Sequence, residues 1–170
     1  MIVPAPRNES GTSVRAGRRA ARTAAVQALY QMELTGNDAQ TVAQEFLDHR
    51  FQGEAEAASV PDEALFRAIV AGVPHRQVEI DRAISSHLSA TWRLQRIDSI
   101  LRAILRAAAF ELVERHDIPA RVVIDEYIEI ARRFFDDEEC GFVNAALDNL
   151  ARRVRAPEFA APLSDDKRGD

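Results

Sequence analysis

Apolar residues recur along most of this chain at spacings of three and four, the period of a helix with one buried face. Between Arg18 and Thr35 the stripe is Ala21, Ala25, Ala28, Leu29 and Met32, and Gly36 with Asn37-Asp38 supplies a stop signal. Thr41 to Phe51 repeats the pattern in a shorter helix, with Val42, Phe46 and Leu47 inward. Gln52 to Ser59 breaks the period and reads as a loop. Pro61 reads as the first residue of a helix, with Asp62 and Glu63 in its first turn. From there Leu65, Phe66, Ile69, Val73, Ile80, Ile84 and Leu88 keep the helical spacing. Gly72 and Pro74 interrupt it, and the proline predicts a kink or a break, because it lacks an N–H and clashes with the preceding turn.

Ser89 to Gln95 is a connector carrying the single tryptophan, Trp92. Beyond it Ile97, Ile100, Leu101, Ile104, Leu105, Ala108 and Leu112 form the widest apolar stripe in the chain, which predicts a central helix buried on more than one side. His116 to Pro119 ends that helix. The next buries Val123, Ile124, Tyr127, Ile128 and Ala131. The acidic run Asp136 to Glu139 precedes a last helix through Phe142, Val143, Ala146, Leu147, Leu150 and Val154. No stretch alternates with period two. The pattern therefore predicts an all-α protein of about six or seven helices over residues 18–154. Residues 1–17 read as a flexible basic arm and 155–170 as a flexible tail.

Composition narrows the class without naming a function. A chain of 170 residues suits one domain with a sizeable core. The net charge of −5 argues against indiscriminate coating of nucleic acid, but it is unevenly spread. Before Thr23 five arginines face one acid, so that segment carries +4 and the remainder −9. One cysteine, Cys140, excludes an internal disulfide framework and suits a reducing cytosol. No secretory leader is visible near Met1, and charges interrupt every apolar run short of a membrane span. A cytoplasmic location is expected.

The chemistry of sites is mostly excluded. Glu111 with Glu114 and Glu126 with Glu129 lie one turn apart, yet the Glu-x-x-His pairs of a di-metal bundle are missing. These pairs read as solvated faces and salt bridges. Cys140 has no neighbouring histidine, the four histidines show no ligand spacing, and no glycine-rich phosphate loop occurs. No catalytic residue, metal or cofactor is expected. What stands out is Arg18, Arg19 and Arg22, clustered on one side of the first predicted helix and off its apolar stripe. Cations near a helix start oppose its dipole by roughly 0.3–1 kcal/mol each, whereas a bound anion there is favoured. The cluster reads either as a phosphate site with wet guanidinium groups or as a solvated arginine face.

Four ordered segments carry a family resemblance: RRAARTAAVQALYQMEL, WRLQRIDSILRAILRAAAFEL, IPARVVIDEYIEIAR and FVNAALDNLAR. Together they resemble the NusB family of transcription antitermination proteins over residues 18–154. The resemblance implies two small helical bundles packed together, about residues 18–90 and 91–154. It implies binding of boxA-type single-stranded RNA together with NusE, a small-subunit ribosomal protein, within the RNA polymerase antitermination complex that supports ribosomal RNA transcription. By the same resemblance the RNA surface joins Arg18, Arg19 and Arg22 to the FVN motif, Phe142, Val143 and Asn144, with Phe142 and Asn144 as contacts. The segment before that motif, FFDDEECG, departs from the family pattern, and its four acids would repel phosphate unless they face the partner protein or neighbouring arginines. Two other readings stay open: a helical adaptor that binds only protein, and an RNA-presenting domain for a separate ribosomal RNA-modifying enzyme.

Overall fold

The computed structural model describes residues 9–51, 60–86, 88 and 92–160. The expected loop at 52–59, part of the arm, part of the connector and the end of the tail lie outside them. Eight α-helices and no strand occur among the described residues: α1 Glu9–Thr35, α2 Ala39–Glu45, α3 Glu63–His75, α4 Gln77–Ser85, α5 Ser99–Glu114, α6 Ala120–Arg132, α7 Asp137–Val154 and α8 Ala156–Phe159. A π-helical turn, Phe46–Arg50, follows α2.

Side-chain caps start three of the helices. Asp38 accepts from the Thr41 N–H at 2.8 Å, Asp62 from Leu65 at 3.0 Å, and Asp98 from Ile100 at 2.7 Å. Each satisfies a backbone donor that the first turn leaves open. Gly36, with φ +73°, ends α1, and its N–H returns to the Met32 carbonyl. The break predicted at Gly72 and Pro74 falls at Arg76, between α3 and α4.

α1 packs on α2 and α3, α5 packs on α6 and α7, and the two sets meet where α1 lies across α5. As its wide stripe predicted, α5 is buried on nearly every side, from Leu101 to Leu105 and from Ala107 to Leu112. The buried apolar residues form one continuous cluster.

Both termini of the domain differ from expectation. α1 begins at Glu9, so residues 9–17 are helical rather than part of an arm. Serine, threonine and glycine are weak helix formers, yet the helix runs through them to a packed crossing at Gly17. Gly17 is buried, and the Gly17 carbonyl accepts from the Asp62 N–H at 3.0 Å. A Cβ at Gly17 would stand 2.5 Å from the Val60 carbonyl oxygen, so only glycine lets the chain cross α1 so closely. At the other end Arg155 is buried and donates to the carbonyls of Glu111, Leu112, Arg115 and Ile118, closing the open C-terminus of α5. Phe159 lies between the guanidinium groups of Arg121 and Arg152 at 5.3 and 5.0 Å. Residues 155–160 thus belong to the packed body.

Candidate nucleic-acid interface

The expected arginine cluster divides by burial. Because α1 starts at Glu9, Arg18, Arg19 and Arg22 lie two or more turns inside it, beyond the reach of the dipole argument. Arg22 corrects the expectation of a wet guanidinium. It is 2% exposed and makes a two-pronged pair with Glu111 of α5, which is fully buried, at 2.8 and 2.9 Å. Tyr127 of α6 donates to the same carboxylate at 2.5 Å. Burial alone would lower the Arg22 pKa, but its bonds and charge pairing with Glu111 outweigh that and raise it. Burial pushes the Tyr127 hydroxyl well above its usual range, so it stays a donor. This buried network ties α1 to α5 and α6, and Arg22 has no surface to offer a phosphate.

Arg19 is half-exposed and also bidentate, to Glu126 of α6 at 2.8 and 3.0 Å. That hydrogen bond holds the Glu126 carboxyl below the usual glutamate range. Arg15, one turn earlier, is far more exposed and stands 3.5 Å from the same carboxylate. Arg18 lies 3.9 Å from Asp62, and its Nε is buried without a hydrogen-bond partner. Of the four glutamates read from their spacing as solvated faces and salt bridges, Glu111 and Glu126 are buried partners of the arginine cluster, while Glu114 and Glu129 pair with Arg76 and Arg132. Only the long-range pairing of Glu126 and Glu111, 107 and 89 residues away, hid that from the sequence.

Around α1 two concavities share Arg15 and Arg19. One, of about 750 Å³, is lined by Thr12, Arg15, Arg19, Thr23, Gln27 and Arg133 among others, with no acid among the described residues that line it. The other, of about 570 Å³, lies toward α6 and α7 and brings Arg15 and Arg19 together with Asn144. Its wall also holds Asp125, Glu126, Glu129 and Asp137, so its formal charge is slightly negative despite Arg132. Arg133, which sequence reasoning passed over, supplies the positive charge facing α1 in the first.

The FVN motif faces three ways from α7. Val143 is wholly buried in the core, Asn144 is exposed, and Phe142 is half-buried. Phe142 stacks on Trp92 with ring centroids 4.3 Å apart and planes 17° from parallel. The acidic run has a local role: Asp137, Glu138 and Glu139 form the first turn of α7, where carboxylates complement the helix dipole. Cys140 is buried, and desolvation pushes its thiol up, away from a reactive thiolate.

The chain matches the NusB family over residues 19–152. It is 54% identical over 144 residues to the transcription antitermination protein NusB of Maricaulis maris, covering 84% of this chain and 90% of the relative. With the same protein of Rhodopseudomonas palustris identity is 46% over 160 residues, covering 92% of each. Among solved structures, T. maritima NusB superposes with a TM-score of 0.70 at 33% identity, over 84% of this chain and 96% of that one. A crystal structure of antitermination factors NusB and NusE in complex with dsRNA gives a TM-score of 0.67 over 80% and 96%. At 23% identity that likeness bears on the fold.

Proposed function

This chain belongs to the NusB family, and on that premise we propose that it is a cytoplasmic transcription antitermination factor. It binds boxA-type single-stranded RNA together with NusE, within the RNA polymerase antitermination complex. The role is binding rather than catalysis. The observation that carries the reading is the pair of concavities flanking α1. Arg15 and Arg19 border both, with Arg133 in the groove that shows no acid among the described residues, and Asn144 across the cleft to α7. Guanidinium groups grip phosphates at any sequence, and a side-chain amide adds a donor and acceptor for a base edge. Phe142, on the same two turns of α7 as Asn144, presents an aromatic ring for an unpaired base.

Within this reading Arg19, which borders both concavities, contacts RNA, Arg18 lies outside their lining beside Asp62, and Arg22 serves the site by fixing α1 on α5 and α6. The test is affinity for a boxA RNA and a scrambled RNA of equal length, each with and without NusE. Tighter binding of boxA, strengthened by NusE, is expected, and Asn144→Ala should narrow the difference between the two RNAs. Equal binding of both RNAs under every condition would reject a sequence-reading role. Binding of NusE with no RNA affinity at all would favour a protein-only adaptor.

A further inference from the structure

The arginines of α1 share one feature that a phosphate site would have to overcome: each has a carboxylate near it. Arg15 and Arg19 face Glu126, Arg18 faces Asp62, and Arg22 is committed to Glu111. On the opposite side of the FVN motif the situation reverses. The turn Trp92 to Ile97 leads into α5, and its geometry is fixed from within. Leu94 is buried at 1% exposure. The N–H groups of Arg96 and Ile97 both return to the Arg93 carbonyl, at 2.9 and 3.2 Å. Arg102 of α5 reaches back to the carbonyls of Leu94 and Ile97, at 3.0 and 3.1 Å, and its other donors hold Glu33. With Leu94 pinned inward, Arg93 and Arg96 are both exposed, and neither has a carboxylate partner among the described residues. The nearby acid, Asp98, is occupied in capping α5.

The same turn begins with Trp92, half-buried and stacked on Phe142. Two aromatic rings in parallel contact beside two unpaired cations on a rigid turn match the elements of a single-stranded nucleic-acid platform. Stacking surfaces take bases of any identity, and adjacent guanidinium groups take the phosphates between them.

We propose that the Trp92 to Arg96 turn is a second contact site for single-stranded RNA. Trp92 extends the Phe142 stack to accept an unpaired base, and Arg93 and Arg96 hold the flanking phosphates. This inference rests on the RNA-binding reading and extends its surface from the α1 side of α7 to the other. It requires no existing ion pair to open, in contrast to Arg19.

Trp92 is the only tryptophan, so its emission reports on this site alone. Intrinsic fluorescence of the full chain is titrated with a boxA RNA, and the same titration is followed by anisotropy of end-labelled RNA. Expected is a saturable loss of tryptophan emission whose midpoint matches the anisotropy curve. The double variant Arg93→Ala/Arg96→Ala, at exposed positions outside the core, should keep its melting temperature. Its affinity should fall roughly tenfold or more, and its log–log salt slope should flatten by about 1.4, at ~0.7 per single-strand phosphate contact. Binding seen by anisotropy with unchanged tryptophan emission, and with native affinity in the double variant, would overturn this site while leaving the RNA-binding reading intact. Absence of binding in both signals would overturn both.

Discussion

Arg19 and Arg22 stand one turn apart on α1, and burial gives them different consequences. Removing the Arg22 guanidinium strands the Glu111 carboxylate in the core with only Tyr127 as partner. Uncompensated buried charges of this kind cost about 3–5 kcal/mol. Arg22→Ala should therefore lose about 3–5 kcal/mol in urea titration; a loss under about 1 kcal/mol would show that the pair is dispensable. Arg19 belongs to a pair that water reaches, and its expected signature is pH dependence. Glu126, hydrogen-bonded by Arg19, and Glu33, hydrogen-bonded by Arg102, both ionise below the ordinary glutamate value of 4.5. Their stabilisation is complete above that value and disappears as the pH falls through their lowered folded values. Melting temperature should drop on the acid side accordingly, and Glu126→Gln should flatten that drop while lowering stability at neutral pH. A Glu126→Gln profile parallel to the native one would contradict the assignment. At this scale the sequence was least legible: spacing placed the arginines on one side of a helix, but which one turned inward depended on Glu111 and Glu126, far along the chain.

Helices were legible wherever a stripe had a clear period and a cap. The Gly36 stop and the breadth of the α5 stripe had direct structural counterparts, whereas the start read at Pro61 falls two residues later, with Asp62 as the cap rather than in the first turn. What local signals missed were segments ordered by contact rather than by propensity, namely residues 9–17 and 155–160. Gly17 shows why, since its meaning lies in the chain at Val60 to Asp62 rather than in its own neighbours. Gly17→Ala would gain helix propensity locally yet force α1 away from that crossing. The expected outcome is a net loss of about 1–3 kcal/mol, the usual cost of overpacking, in thermal or urea denaturation. An unchanged or stabilised variant would mean that the crossing yields freely. The acidic start of α7 is the other element-scale lesson: read alone it opposed an RNA surface, and within the helix it serves the first turn.

Across the whole molecule one continuous core fixes α1, α5, α6 and α7 against one another, which gives the surface groups a rigid frame. The positive groups proposed to meet RNA sit in the α1 groove with Arg133 and on the turn carrying Arg93 and Arg96, and α7 supplies Asn144 and Phe142 between them. The family and its all-α architecture were legible from four sequence segments. The route of charge across the surface was not, because Arg133 and the pairing state of each arginine depend on tertiary packing. On this reading the groove along α1 that holds Arg15, Arg19 and Arg133 meets RNA phosphates. The most direct measurement is the salt dependence of boxA RNA binding by Arg15→Ala/Arg133→Ala against the native chain, both exposed positions outside the core. The account predicts an unchanged melting temperature and a log–log slope shallower by about 1.4, two phosphate contacts at ~0.7 each. A variant that kept both the native affinity and the native slope would contradict it.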